Sequence, residues 1–503
     1  MKKTLSLVLA LVMVLTLFSA CGGSDKGQTA AKDNLVVAVS SEPGSLTPYS
    51  HNNQQAFIPA TLVYEGLIKK DDNGEFQPWL ATAWEFTDDT TIEFTLREGV
   101  KFHDGTDFTA EDVVFSLGLM QSSSFTSNLF GCVDTANTKA DGDYKVIVKL
   151  QYPSASIIEA LASYRGVIIS KDSYESLGDE GYGRAAIGTG PMKLTEWISG
   201  DRLEFAAYDA YWGTPTAFKS ATVRFVVEAA SRTIELETGG VDLAFDLQTS
   251  DWDRIAEGKN TQLISGESQK TTFLMINCSI EPYNNELVRK ALAYATDVES
   301  LVKVVYQGTA SVADCWMAPS VLGYKSVEQI PYDVEKAKSL LNEAGITDLT
   351  VKFGSYENAV NLSVAEVLES MWGAAGIKLE LAVTDLATYT ADNNAGALEI
   401  AYMNTNATIP DPTAALLVWP IARTISLRHN DQKIQDFLDA GSREYDADSR
   451  VKIYNDLMDY LGENYYTIPI AFEKGAFGAS KAVTNLPYYP SNVPDLTRIT
   501  FAN

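Results

Sequence analysis

The sequence predicts an α/β protein whose domains are assembled from discontinuous segments of the chain. Apolar and polar residues alternate as in strands at 90–96 and 143–150. Apolar residues at helical spacing occupy 109–120, 284–307, 333–344 and 360–375. The two kinds of segment mix irregularly along 503 residues, and no linker of biased composition separates them. Because a chain of this length holds several domains, we expect domains that the chain enters more than once.

Local signals mark where several of these elements begin. A short buried strand is expected from Leu35, and the loop that follows over 40–48 contains two prolines and a glycine. Capping-box patterns at 109–112 and 296–299 precede apolar runs and predict helix starts. Asp333 begins a further helix, which a glycine terminates.

The N-terminus predicts a secretory signal. A lysine pair precedes an almost unbroken apolar run from Leu5 to Phe18, and small residues lead from this run to Cys21. The run is shorter than the roughly 20 residues that a membrane-spanning helix needs. The segment resembles a bacterial lipoprotein signal. This resemblance implies that 1–20 are removed as a signal peptide, that Cys21 is acylated, and that 21–33 form a lipidated tether holding the protein outside the cytoplasmic membrane.

The composition excludes several classes of function. The net charge of −27 is opposite to the basic surface that nucleic-acid binding requires, and it also opposes binding flat on anionic lipid. There is no second long apolar run of the kind a permease would contain. Lipidation of one cysteine leaves Cys132, Cys278 and Cys315, an odd number, and we expect three buried thiols.

A sequence signature then indicates a family. Residues 94–116 read FTLREGVKFHDGTDFTAEDVVFS, which resembles the signature of the extracellular solute-binding proteins of family 5, the peptide, nickel and opine receptors of ABC importers. Similar segments follow in the family's order at 188–213, 232–242, 273–297 and 332–345. Within them, Arg289 is expected to pair with an acidic residue of the protein rather than with a ligand.

The resemblance implies a two-lobed, periplasmic-binding-protein-like α/β fold (class II, large cluster C type), with an extra subdomain inserted in lobe I. Carried onto this chain, the inserted subdomain comprises 67–175 and lobe II comprises 272–478. Strand crossings near 272–278 and 471–478 would form the hinge. The implied segments of lobe I are 34–66, 176–271 and 479–503.

No motif for catalysis or for metal binding is present. His51, His103 and His429 are far apart and lack the spacing of metal ligands. Neither a G-x-S-x-G elbow nor a Walker loop occurs, and paired carboxylates such as Glu111 and Asp112 fit solvated acids or helix caps. We therefore expect no enzymatic activity, no cofactor and no bound metal.

Three segments offer the convergent polar groups and aromatic walls that a binding cleft needs. They lie at 47–53, 355–361 and 402–423, places that border the ligand in the family, and Trp316 is a weaker candidate. The candidate ligand-binding residues are Tyr49, His51, Asn52, Asn53, Trp316, Tyr356, Glu357, Asn358, Tyr402, Asn404, Asn406, Asp411, Trp419 and Arg423.

The same segments argue against a dipeptide ligand. Dipeptide-binding members place an aspartate shortly before a DP pair to hold the ligand ammonium, whereas 401–412 read AYMNTNATIPDP. The arginine that those members use for the carboxylate, near 355, is also missing in an ungapped placement. Without such anchors, the charged ends of a dipeptide would lose their hydration, and no protein group would compensate for the loss.

Four hypotheses remain for the function. The first is an importer receptor for an oligopeptide held through its backbone, with Arg423 available for a carboxylate. The second is a receptor for a neutral oligosaccharide stacked on Trp316, Tyr402 and Trp419, and the third is a receptor for a metal chelate. The fourth is a surface lipoprotein of adhesion or signalling without transport. For a transport receptor, the expected partners are a permease and its ATPase, and the expected state is a monomer.

Overall fold

Strands and helices alternate along the computed structural model, which describes residues 32–421 and 427–502. Cys21 and the signal lie outside the described residues, as does Arg423. The strands are β1 Asn34–Val39, β2 Ile68–Lys70, β3 Phe76–Pro78, β4 Ala81–Asp88, β5 Thr91–Leu96, β6 Lys139–Ala140, β7 Lys145–Lys149, β8 Met192–Ile198, β9 Arg202–Ala207, β10 Ser220–Phe225, β11 Leu243–Ala244, β12 Thr261–Ile276, β13 Ala310–Val312, β14 Leu349–Tyr356, β15 Ile377–Thr384, β16 Ile400–Asn406, β17 Thr467–Ser480, β18 Val483–Thr484 and β19 Thr500–Phe501.

Helices of 4 to 18 residues connect these strands. They are α1 Gln54–Ala60, α2 Ala110–Ser122, α3 Ser127–Phe130, α4 Ile157–Leu161, α5 Lys171–Ala185, α6 Ala229–Thr238, α7 Trp252–Glu257, α8 Glu286–Tyr294, α9 Val298–Tyr306, α10 Val334–Glu343, α11 Ala359–Ala374, α12 Leu386–Ala395, α13 Pro412–Ala415, α14 Gln432–Arg443 and α15 Ala447–Asn464.

The predicted elements are confirmed, with one helix divided in two. The predicted strands are β5 and β7, and three of the predicted helices are α2, α10 and α11. The segment 284–307 forms α8 and α9 because Asp297 caps a new helix, accepting a hydrogen bond from the Ser300 N–H at 3.0 Å. The predicted capping box at α2 is present, since the Thr109 N–H donates to the Asp112 carboxylate at 2.9 Å.

One large sheet connects two halves of the protein, one that contains β1 and β8–β11 and one that contains β14–β16. Its strand order is β15-β14-β16-β12-β17-β11-β1-β10-β9-β8, and β13 pairs with β17. The long strands β12 and β17 are antiparallel partners in the middle, with an irregularity between Glu267 and Thr271. On one side β12 pairs with β16, and on the other β17 pairs with β11. The crossings expected near 272–278 and 471–478 overlap with these two strands.

A separate four-stranded sheet, in the order β4-β5-β7-β6, lies within the segment 81–149. Its buried side chains, such as Ile92 and Phe94, join the large hydrophobic core that also contains Leu35 of β1. A second core packs α8 and α11 against β12 and β14 through residues such as Leu274 and Trp372. The four-stranded sheet is thus separate from the large sheet, whereas its buried side chains share a core with β1.

The expectation for Arg289 is wrong. Its guanidinium donates to the backbone carbonyl oxygens of Tyr283 at 3.0 Å and Tyr465 at 3.2 Å, and it has no acidic partner among the described residues. It lies at the end of α15, where the last carbonyl groups of the helix lack partners within it. A cation beside a helix C-terminus is favourable, which is why no carboxylate is required.

The cysteine prediction is confirmed for the described residues. Cys132, Cys278 and Cys315 are free and buried. Burial raises the pKa of the Cys278 and Cys315 thiols to about 11. Within 32–421 and 427–502, none of the helices has the length and apolar character needed to cross a membrane.

Candidate functional site

The first predicted segment forms the loop that leads into α1. Asn53 caps this helix by accepting a hydrogen bond from the Gln55 N–H at 3.0 Å. Tyr49 is buried, and its hydroxyl donates to the carbonyl oxygen of Val167. The Asn52 side chain is exposed. In this loop, Tyr49 and Asn53 thus already have partners within the protein.

A buried arginine that the sequence analysis missed anchors this loop. Arg165 is 1% exposed and donates to the carbonyl oxygens of Pro48 at 3.1 Å and His51 at 2.8 Å, as well as to the Asn52 side chain. No carboxylate among the described residues forms an ion pair with it. Burial lowers the pKa of the Arg165 guanidinium, and burial together with this nearby charge lowers the pKa of His51 to about 4. His51 is therefore neutral at physiological pH.

The second and third segments follow two neighbouring parallel strands. β14 and β16 pair in parallel, with Gly354 opposite Ala401. Ligands of open α/β sheets bind beyond the carboxyl ends of such strands. At the end of β14, the Tyr356 ring contacts Tyr389 with centroids 5.2 Å apart, and Asn358 caps α11. Glu357 is exposed between them.

Along β16 the predicted residues change from buried to exposed toward the end of the strand. Asn404 and Asn406 are exposed, whereas Tyr402 is buried. The hydroxyl of Tyr402 is hydrogen-bonded to that of Tyr306, which also donates to the Glu473 carboxylate at 3.1 Å. Burial raises the pKa of Tyr402. This tyrosine thus belongs to a polar network beside β17.

The two predicted tryptophans pack against each other. Trp316 and Trp419 are each 3% exposed, and their rings meet edge to face with centroids 6.2 Å apart. The Trp419 ring also contacts Tyr466, and its carbonyl oxygen is 2.7 Å from Nε2 of His429. The Trp316 Nε1 is buried without a hydrogen-bond partner.

Asp411 forms a buried ion pair that the sequence analysis did not predict. Its two carboxylate oxygens accept hydrogen bonds from the Arg450 guanidinium at 2.6 and 2.9 Å, and the two side chains are 4% and 5% exposed. Asp411 also caps α13 by accepting from the Thr413 N–H at 2.9 Å. Its charge is therefore neutralised within the protein, and its structural role is to hold the third segment on α15.

Residues near the C-terminus connect the first segment to the third. The Gln54 side chain donates to the carbonyl oxygen of Asn492 at 2.8 Å, and the Gln269 N–H donates to that of Pro490 at 3.1 Å. The Gln269 carbonyl oxygen in turn accepts from the Ala407 N–H at 3.1 Å. The side-chain oxygens of Gln55 and Gln269 are buried without partners. No sequence motif marked Gln269 or this C-terminal segment.

Solved structures define the class of this fold. HbpA2 from Haemophilus parasuis is similar with a TM-score of 0.85 at 23% identity, over 94% of this chain and 100% of that one. The ABC transporter-associated periplasmic binding protein DppA from Helicobacter pylori, in complex with the peptide STSA, is similar with a TM-score of 0.80 at 22% identity, over 95% and 100% of the two chains. The fold is that of a two-lobed solute-binding protein.

The sequence comparisons identify the family. Residues 75–423 match the family described as bacterial extracellular solute-binding proteins, family 5 Middle. The glutathione-binding protein GsiB of Salmonella paratyphi A is 28% identical over 478 residues, which cover 92% of this chain and 93% of that protein. The chain belongs to the bacterial extracellular solute-binding proteins of family 5. It is an extracytoplasmic receptor of an ABC importer and not an enzyme.

Proposed function

We propose that the protein captures an oligopeptide between its two lobes and delivers it, as a monomer, to the importer's permease and ATPase. The main support is a pair of buried amide side chains, Gln55 in α1 after the first segment and Gln269 beside the third segment. The side-chain oxygen of each has no hydrogen-bond partner in the protein, and buried polar groups require one. Peptide N–H groups are suitable donors. The relatives named above include one called glutathione-binding and one described with a peptide.

We assign the lobes as the sequence analysis expected, with 67–175 as the subdomain inserted in lobe I and 272–478 as lobe II. The long strands β12 and β17 support this division, since they join the two halves of the large sheet. Among the predicted site residues, the one buried carboxylate is Asp411, and Arg450 neutralises it. This pairing favours a ligand that is not held by a charged ammonium end.

Calorimetry with peptides of two to five residues tests the proposed ligand class. We expect zwitterionic dipeptides to bind at least about tenfold more weakly than tetrapeptides, because a tetrapeptide offers more backbone groups for hydrogen bonding to offset the desolvation of its charged ends. Trp419→Phe is expected to weaken tetrapeptide binding about fivefold if this ring forms a wall of the site. Trp372→Phe is the matched control, since Trp372 is buried in the second core.

Two results would contradict this proposal. Sub-micromolar binding of dipeptides would show that the protein has charged anchors for their termini. Binding of neutral oligosaccharides without any peptide binding would favour the oligosaccharide receptor. Equal losses in the Trp419 and Trp372 variants would indicate a general effect on folding rather than a ligand contact.

We also propose that a lipid on Cys21 anchors the receptor to the membrane. The apolar run followed by a cysteine and a polar segment supports this anchoring. Cys21→Ala is expected to release the protein into the medium or to leave it unprocessed, as fractionation and the mass of the N-terminal peptide will show. Cys132→Ser is the control, because this buried thiol has no part in anchoring. A Cys21→Ala protein that is cleaved normally and stays on the membrane would refute the proposal.

A further inference from the structure

Tyr445, in the loop between α14 and α15, contacts the inserted subdomain. Its hydroxyl accepts a hydrogen bond from the Ser154 N–H at 3.1 Å and donates to the carbonyl oxygen of Asp89 at 2.8 Å. Its ring meets Phe86 edge to face with centroids 5.1 Å apart. The last turn of α14 adds a third hydrogen bond, from the Ala155 N–H to the Ser442 carbonyl oxygen at 2.9 Å.

These contacts are isolated from the strands that connect the two halves. Among the described residues, these three are the hydrogen bonds that join 277–466 to the rest of the protein without using β12 or β17. Beside them lies a cavity of about 220 Å³. One wall of this cavity comes from Cys132, Tyr152 and Ser154, and the other includes Ser442 and Arg443. The contact and the cavity thus both lie between the inserted subdomain and the α14–α15 region.

We propose that Tyr445 is a closing latch, a positioning residue that stabilises the closed form of the receptor without touching the ligand. The inference rests on the proposed function, in which the ligand binds between lobes that close over it. Rotation about β12 and β17 would separate Tyr445 from Asp89 and Ser154 while leaving every strand pairing intact. Tyr445 and Phe86 are each 39% exposed in this structure, so breaking their contact brings little additional area of these two rings into water. The latch is therefore a contact that forms and breaks reversibly.

A contact made only in the closed form contributes to affinity through the closing equilibrium. Its two hydroxyl hydrogen bonds reach backbone groups, so they require the closed geometry rather than a particular side chain on the partner. Loss of the hydroxyl in Tyr445→Phe is expected to raise the Kd about threefold, and loss of the whole side chain in Tyr445→Ala about tenfold. Because the latch forms after the first encounter with the ligand, the dissociation rate should carry most of this change.

The first experiment measures tetrapeptide affinity and dissociation rate for the wild type, Tyr445→Phe and Tyr445→Ala. Tyr332→Ala is the matched control, since Tyr332 has similar exposure, 43%, and its side chain forms no hydrogen bond with any described residue. Faster dissociation in the order wild type, Phe, Ala, with the control unchanged, supports the latch. Unchanged rates in both Tyr445 variants, or an equal change in the control, would overturn it.

A second experiment needs no ligand and separates the latch from the proposed function. In a Cys132→Ser background, the pair Ala155→Cys and Ser442→Cys places thiols at the latch, and a mild oxidant cross-links them in the closed form. Adding Tyr445→Ala is expected to slow cross-linking about tenfold, in proportion to the closed population. Equal rates with and without Tyr445 would refute the latch. Slowed cross-linking in a protein that binds no peptide would retain the latch and reject the peptide ligand.

Discussion

Replacement of Arg450 by alanine is expected to lower the free energy of unfolding by about 3–5 kcal/mol. The substitution leaves the Asp411 carboxylate buried without its partner, and a buried charge that loses its partner is among the costliest changes in a protein. It also removes the hydrogen bond from the Arg450 Nε to the Gly441 carbonyl oxygen at 2.7 Å. Equilibrium unfolding in urea measures the change.

Two further variants make this prediction specific. Lys452→Ala removes an exposed ion pair with Asp456 on the same helix, and we expect a change below about 1 kcal/mol. The double variant Asp411→Leu with Arg450→Met removes both charges, and it should be closer to the wild type than Arg450→Ala alone. A small effect of Arg450→Ala, similar to that of Lys452→Ala, would show that Asp411 finds water or another partner and that the pair is unimportant.

Replacement of Glu65 by alanine should lower the free energy of unfolding by about 3 kcal/mol or more, because it leaves four donors, one buried and three partly buried, without their acceptor. Its carboxylate accepts hydrogen bonds from four side chains at 2.7 to 2.9 Å. Burial raises the pKa of Glu65, and these donors oppose the rise. The donors are the Trp79 and Trp212 Nε1 atoms and the hydroxyls of Thr189 and Tyr211.

Glu65 also connects parts of the protein that the sequence separates. Trp79 belongs to the inserted segment, whereas Thr189 and Trp212 belong to the first lobe as we assign it. Glu65→Gln keeps the shape and one acceptor oxygen but points its amide group at donors, so an intermediate loss is expected. Glu75→Ala, an exposed carboxylate nearby, is the control and should change stability by less than about 0.5 kcal/mol. Equal stability of all three variants would mean that the donors are readily satisfied by water.

The local elements of this protein follow from its sequence because their causes are local. Alternation predicts β5 and β7, and capping residues within three positions of a helix predict where α2 and α9 begin. The family resemblance similarly predicts the two-lobed fold, because its motifs are contiguous segments at turns and helix starts. The capping pattern at 296–299 predicted the start of α9 to within one residue, because the structure caps this helix with Asp297 rather than Thr296.

The partners of buried charges depend on the tertiary structure instead. No sequence pattern indicates that Arg450, 39 residues away, neutralises Asp411. Nor does one indicate that backbone carbonyl groups over 100 residues away accept hydrogen bonds from Arg165. Arg289 shows the same limit, because the helix end that replaces its expected acid comes from α15. Which groups meet is decided by how helices and strands pack, and this packing brings together residues that no local spacing relates. The sequence alone thus determined the family and the local elements, whereas only the tertiary structure decided which polar groups are satisfied and where the two lobes touch.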